Sequence, residues 1–132
     1  MTSANAIKLG VFALCIGLYG CERQISFAAD VQPILAEHCI ECHNETAEGS
    51  AASGFSLADY EAVMQGTKFG PVVLANDSDS SVLYLVIAHK TGREIHMPPH
   101  HDEAMAEGRG NALPTEYVET VRAWIEQGAL NN

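Results

Sequence analysis

The chain has 132 residues, of which 47% are apolar, and its 17 acidic and seven basic residues give a formal charge of −10. This length allows one domain and excludes most multidomain enzymes, because domains typically contain about 100–200 residues. The apolar content excludes a disordered chain, which combines low hydrophobicity with high net charge. The acidic balance argues against nucleic acid as a partner, because phosphate contacts require clustered Lys and Arg side chains.

Residues 1–20 differ in composition from the rest of the chain. Lys8 precedes an uncharged run of 12 residues that ends at Gly20. A membrane-spanning helix needs about 20 apolar residues, so this run is too short to cross a bilayer. It fits the apolar region of a secretory signal peptide, and we expect an exported protein that loses residues 1–20.

The run is followed by Cys21, and Leu18-Tyr19-Gly20-Cys21 resembles the lipobox of bacterial lipoproteins. That resemblance implies cleavage before Cys21, lipidation of its thiol and a periplasmic protein anchored to a membrane. An ordinary secretion signal, cleaved a few residues further on, is the alternative. With the lipobox cleavage, residues 21–25 form a short tether and residues 26–132 form the domain. The mature chain has a charge of −11, since only Lys8 leaves with the leader.

The first half of the domain predicts two helices. Phe27, Val31, Ile34, Leu35 and His38 are spaced three and four apart and predict one face of a helix. Asp30 is its expected N-cap, which places Pro33 in the first turn. The small and polar residues 46–55 predict a loop. Residues 57–64 predict a short helix that ends at Gly66.

The second half predicts two more helices around a long irregular segment. Residues 80–88 predict a largely buried helix, capped by Ser78 or Asp79. An apolar face predicts a terminal helix that Gly128 ends. The residues between these helices, 91–113, contain two Pro and three Gly and predict a loop. We therefore expect a mainly α fold of about four short helices, whose small core a central cofactor would complete.

Residues 39–43 read Cys-Ile-Glu-Cys-His, the C-x-x-C-H pattern of c-type haem attachment. Two cysteines three positions apart at the end of a helix both reach the vinyl groups along one haem edge. The next residue, His43, then binds the iron from the proximal side. Attachment of this kind takes place after export, in agreement with the leader. The motif predicts one covalent haem c on Cys39 and Cys42.

Three other interpretations of the motif stay open. A redox-active dithiol normally follows a strand in a βαβ unit, and no such pattern precedes Cys39. A zinc site would combine the cysteines with two histidines, since Cys₂His₂ is a common closed ligand set. The candidate histidines are His43, His96, His100 and His101. A short disulfide would make the haem pattern a coincidence.

An electron carrier also needs a sixth iron ligand, and Met97, followed by two prolines, is the first candidate. A thioether raises the reduction potential and keeps the iron six-coordinate, which suits electron transfer. His96 is the rival, and a second imidazole would give a lower potential. Met64 lies on a predicted helix and is expected in the core, whereas Met105 lies in an acidic loop and is expected at the surface.

Seven motifs follow one another along the chain: Phe27-x-x-Asp30-Val31-Gln32-Pro33-Ile34-Leu35, Cys39-x-x-Cys42-His43, Gly54-Phe55-Ser56-Leu57, Ser81-x-Leu83, Met97-Pro98-Pro99, Leu113 and Trp124-Ile125-x-Gln127-Gly128-Ala129. In this order they resemble planctomycete-type cytochrome c domains over residues 26–130. The resemblance implies a small monohaem cytochrome c-like fold, with long loops wrapped around one haem and the first and last helices crossing near it. It also implies thioethers on Cys39 and Cys42, His43 as proximal ligand and Met97 as distal ligand.

The chain departs from that family at two turns. Asn76 stands where the family often has Gly, and Asn tolerates a positive φ, so the same turn is expected. Pro114 stands where Ser or Thr usually caps the last helix, which moves the expected start of that helix to Thr115.

These observations predict a non-enzymatic electron carrier in the periplasm, which exchanges electrons with protein donors and acceptors. The acidic surface would steer a basic patch on such a partner, over a screening length of about 8 Å at physiological salt. Simple solubility is an equal alternative explanation of this charge, because the acidic residues are dispersed along the chain. A haem-based sensor or peroxidase-like enzyme, in which Met97 is labile or absent from the iron, is the alternative. A zinc- or thiol-based binding lipoprotein is the third.

Overall fold

The computed structural model describes residues 23–99 and 111–132. In these residues it contains six short α-helices and no β-strand, only an isolated bridge between Thr67 and Gly70. The helices are α1 Gln32–His38, α2 Ile40–His43, α3 Glu48–Ser53, α4 Tyr60–Gln65, α5 Val82–Ile87 and α6 Thr115–Glu126. A π-helical turn, Phe27–Val31, leads into α1, and a 3-10 turn, Arg93–Ile95, follows α5. The predicted mainly α fold with long loops is confirmed, with more helices than the expected four.

Two parts of the sequence interpretation lie outside the described residues. One is the leader with Cys21, and the other is residues 100–110, with His100, His101 and Met105. Among the residues that are described, none forms a helix long and apolar enough to cross a membrane.

The first helical segment begins at a reciprocal cap. The Ser26 hydroxyl accepts a hydrogen bond from the Ala29 amide at 3.1 Å, while the Asp30 carboxylate accepts one from the Ser26 amide at 2.8 Å. Arg23 donates to the Asp30 carboxylate, and this bond lowers the pKa of Asp30 below its ordinary value. Ser26 is therefore the N-cap, and the prediction of Asp30 was wrong, since Asp30 caps from within the first turn.

Residues 46–55 do not form the predicted loop, because Glu48–Ser53 is helix α3. Two consecutive alanines favour this helix, and Gly54 ends it in the left-handed conformation at φ 74°. The loop prediction was wrong because it rested on the small, polar and glycine-containing composition of the segment. Gly49 does not break the helix. Its lack of a side chain in fact lets α3 pack closely against α2.

The other helix ends follow local chemistry. Asp59 caps α4 by accepting from the Ala62 amide at 2.8 Å. Helix α5 begins after Ser81, without the side-chain cap predicted from Ser78 or Asp79. The expected start of the last helix at Thr115 is confirmed, and so is the positive φ of Asn76, at 66°.

The core joins the first helical segment to the last helix. Phe27 packs against Tyr60 at 5.2 Å between ring centroids and against Trp124 at 5.4 Å. The fully buried Trp124 donates its indole N–H to the Leu130 carbonyl at 3.0 Å. The Gln127 side chain accepts from the Ile25 amide at 2.7 Å, so residues on both sides of this core are joined by hydrogen bonds. These contacts hold the helix that precedes residue 39 in a defined orientation.

We predict that Trp124→Ala lowers the free energy of unfolding by about 3–5 kcal/mol, because it removes a fully buried aromatic side chain. Trp124→Phe keeps a ring against Phe27 but loses the bond to Leu130, and should cost about 1–2 kcal/mol. Urea unfolding of the haem-loaded protein measures both values. Equal losses for the two variants would contradict this account of the core.

Candidate haem attachment site

Cys39 separates α1 from α2. Its backbone, at φ −130° and ψ −37°, leaves the helical region, while its amide still donates to the Leu35 carbonyl at 2.9 Å. Its carbonyl accepts from the amides of Cys42 and His43, at 3.1 and 3.0 Å. Cys39 thus ends one helix and starts the next, and the two cysteines lie one helical turn apart. Positions three apart on a helical turn are neighbours on its surface, as joint attachment to one haem edge requires.

Both thiols are free and partly buried. Cys39 packs against the hydrophobic core, and burial, with a smaller contribution from Cys42, raises the pKa of the Cys39 thiol to about 11. Redox-active dithiols work in the opposite way, since their attacking cysteine has a lowered pKa. The environment of Cys39 therefore argues against the dithiol interpretation.

His43 is confined on several sides. Its ring packs edge-on against Phe55, with 5.9 Å between centroids, and its Nδ1 lies 3.4 Å from the Phe55 carbonyl oxygen. That carbonyl is fixed by the Ser50 hydroxyl, which donates to it at 2.7 Å. On the α3 side, a Cβ at Gly49 would lie 2.9 Å from Cε1 of His43 and 2.5 Å from the Cys42 carbonyl oxygen. Glycine is required there by this close approach.

This geometry fits an iron-ligating histidine. Such residues usually donate one ring N–H to a carbonyl or carboxylate, which fixes the tautomer and the ring orientation. Nδ1 of His43 faces a carbonyl oxygen, and Nε2 makes no hydrogen bond with a described residue. Two free thiols precede this imidazole at the required spacing. The residues present therefore fit a covalently attached haem.

Met97 and His96 lie in different environments. The Met97 amide donates to the Val86 carbonyl at 3.1 Å, and the side chain packs against the same hydrophobic core as Cys39. The His96 ring stacks on the His89 ring, with 4.2 Å between centroids and 7° between planes. Its Nε2 lies 3.0 Å from the Thr91 carbonyl oxygen. The imidazole of His96 is thus engaged in two contacts with its own loop.

A cavity of about 280 Å³ lies where the residues that follow α5 meet the start of α6. Its apolar lining includes Tyr84, Ile87, Leu113 and Val118. The motif residues 39–43 do not line it, so the cavity cannot be assigned to the haem on this geometry. Among the described residues, no three His, Cys, Asp or Glu side chains group as a metal site, and two of the histidines considered for zinc lie outside them.

Sequence reasoning missed the residues that confine His43. Phe55 was part of a family motif but was given no role, and Ser50 and Gly49 were interpreted as loop residues. The one available signal was the Gly-Phe pair at residues 54–55, which follows the motif closely enough to pack against it.

The described fold and site define a class of protein: it is small and helical, with a C-x-x-C-H motif at the junction of two helices. The loop that carries Met97 packs against the same hydrophobic core as Cys39. A family model described as Planctomycete cytochrome C matches residues 39–101, from the first motif cysteine past Met97. The match supports a planctomycete-type cytochrome c domain in this part of the chain, as the order of its motifs predicts, and domains of that family bind haem for electron transfer. No curated protein and no solved structure matches the chain.

We predict that Gly49→Ala destabilises the haem-loaded protein by about 1–3 kcal/mol, because the new methyl group collides with the His43 ring and the Cys42 backbone. Alanine would otherwise favour a helix by about 1 kcal/mol, so the sign of the change is informative. Gly92→Ala is the matched control, since the atoms nearest to its Cβ would be those of the Glu94 carboxylate, the flexible end of a side chain. Unfolding and the haem absorption spectrum measure the effect. A Gly49→Ala protein as stable as the wild type would contradict the close packing.

Proposed function

We propose that the protein is a non-enzymatic electron carrier with one covalent haem c, either acting alone or as the redox subunit of a larger oxidoreductase. The thioethers would form on Cys39 and Cys42, and His43 and Met97 would bind the iron. The observation that carries the proposal is the confinement of His43, with Nδ1 facing the Phe55 carbonyl, beside two free thiols.

The bound haem would supply a one-electron couple, ferric to ferrous. The protein's contribution is to hold the ligands in one geometry in both states, so that little reorganises on transfer. The contacts of His43 with α3 and Phe55 fix the proximal ligand. The bond from the Met97 amide to Val86 and the packing of its side chain restrict the loop that carries the distal ligand.

Two observations favour Met97 over His96 as the distal ligand. The Met97 side chain packs against the core that Cys39 also contacts, whereas Nε2 of His96 lies at hydrogen-bond distance from a backbone carbonyl of its own loop. Coordination through Nε2 would break that contact. A thioether ligand would also give the higher potential.

The expected partners are redox proteins with a basic docking patch. Residues 24–67 contain no Lys or Arg, and four exposed acidic residues surround the haem motif: Glu37, Glu41, Glu45 and Glu48. Opposite charge on a partner would raise the association rate, in a salt-dependent manner.

The expected location is the periplasm, with a lipid anchor on Cys21. This part of the proposal is supported by the short apolar run, by the lipobox-like residues that end it, and by the requirement of c-type haem attachment for export.

The decisive experiment is haem staining of the denatured protein after expression of the full chain in a host that exports and matures c-type cytochromes. We predict covalent haem in the wild type and none in the double variant Cys39→Ala/Cys42→Ala. Cys21→Ser is the matched cysteine control and should keep its haem. Absence of covalent haem from the wild type would refute the proposal and favour the zinc or thiol alternatives.

For the distal ligand, we predict that Met97→Ala abolishes the near-infrared sulfur-to-iron charge-transfer band and lowers the reduction potential. His96→Ala should keep the band, because the thioether stays in place. If His96→Ala loses the band and Met97→Ala keeps it, His96 is the distal ligand and the assignment of Met97 is wrong. High-spin ferric iron in the wild type would instead favour a haem sensor or a peroxidase-like enzyme.

For the anchor, we predict that the wild type sediments with membranes and that Cys21→Ser is released into the soluble fraction with its haem intact. The lipid chain is the only membrane attachment expected after cleavage, so its loss should release the whole protein. A Cys21→Ser protein that stays with membranes would contradict anchoring at this cysteine.

A further inference from the structure

The loop that carries Met97 begins and ends at one carbonyl group. The Val86 carbonyl, near the end of α5, accepts from the His89 amide at 3.3 Å and from the Met97 amide at 3.1 Å. Residues 89–97 therefore form a loop whose two ends are tied to the same atom. Opening this loop breaks the bond that positions the Met97 backbone.

The same loop is closed a second time by its side chains. His89 has a positive φ of 54°, a conformation that is uncommon outside glycine but enriched in histidine, and the chain reverses here. The rings of His89 and His96 are parallel within 7°, at 4.2 Å between centroids. Nε2 of His96 lies 3.0 Å from the Thr91 carbonyl oxygen, inside the loop. The stack joins the first residue of the loop to the residue before Met97.

We propose that the His89–His96 stack is a positioning device for the distal ligand: it keeps the Met97 loop closed and so sets how often the iron is open to outside ligands. This inference rests on the proposed ligation by Met97. Neither histidine touches the iron in this role, and His96 acts through the segment that it shares with Met97.

The Met97 loop exchanges between a closed form and an open form, and the stack favours the closed form. An outside ligand competes for the iron only in the open form of the loop, so its binding rate reports the fraction of open molecules. Loss of an aromatic contact of this kind raises that fraction by up to about tenfold, provided that the stack exists only in the closed form. The other closing contact, from the Met97 amide to Val86, remains and keeps most molecules closed.

The test is stopped-flow binding of imidazole to the ferric, haem-loaded full chain. His96→Ala, and His89→Asn, which tolerates the positive φ, should each bind imidazole about tenfold faster than the wild type. Both should keep the sulfur-to-iron band. His96→Phe restores a stacking ring without the Nε2 contact with Thr91, and should bind imidazole clearly more slowly than His96→Ala. Glu94→Ala, an exposed change in the same loop, should leave it unchanged.

A control variant distinguishes the positioning role of the stack from a lower stability of the whole protein. Trp124→Phe lowers global stability without changing a residue of the loop and should not raise the imidazole rate. The inference is overturned if His96→Ala binds imidazole as slowly as Glu94→Ala, or if His96→Phe is as fast as His96→Ala. If the wild type has covalent haem but lacks the sulfur band, ligation by Met97 fails and this inference fails with it. If the band is present and the rates are unchanged, this inference alone fails.

Discussion

The close approach of α3 to the haem motif is the contact on which the site depends. With no side chain at Gly49, α3 lies against both the Cys42 carbonyl and the His43 ring. In the same region, Ser50 of α3 donates to the Phe55 carbonyl, which faces Nδ1 of the imidazole. The missing side chain at Gly49 therefore helps to set the orientation of the His43 imidazole, before any cofactor contributes.

The rest of the fold supports this contact from outside. Helix α1 ends at Cys39, and its orientation follows from the packing of Phe27 against Trp124 and Tyr60. Hydrogen bonds from Ile25 to Gln127 and from Trp124 to Leu130 join the same two parts of the chain. Helices of four to seven residues are too short to be stable alone, so tertiary packing must hold the first five together.

The sequence predicts the helical class, the start of the last helix at Thr115 and the haem motif, because each depends on local spacing or on a single residue type. It fails at residues 48–53, where small residues form a helix that lies against Cys42 and His43. The small and polar composition of this segment does not reveal that it packs against the preceding helix. The sequence also leaves open whether Met97 or His96 is the distal ligand. The observation that bears on this choice, the stacking of His96 on His89, is a contact that only the folded structure shows.

The two proposed iron ligands are held by different kinds of interaction. His43 lies among close-packed atoms, where any displacement must move a helix. Met97 lies on a loop tied by one backbone bond and, one residue earlier, by a ring stack. Close packing resists small displacements, whereas a loop closed by a few contacts opens as a unit. With the proposed ligation, a ligand held by close packing would stay bound while one held by the loop contacts would exchange. The strength of the loop contacts would then decide whether such a haem serves as an electron carrier or responds to ligands.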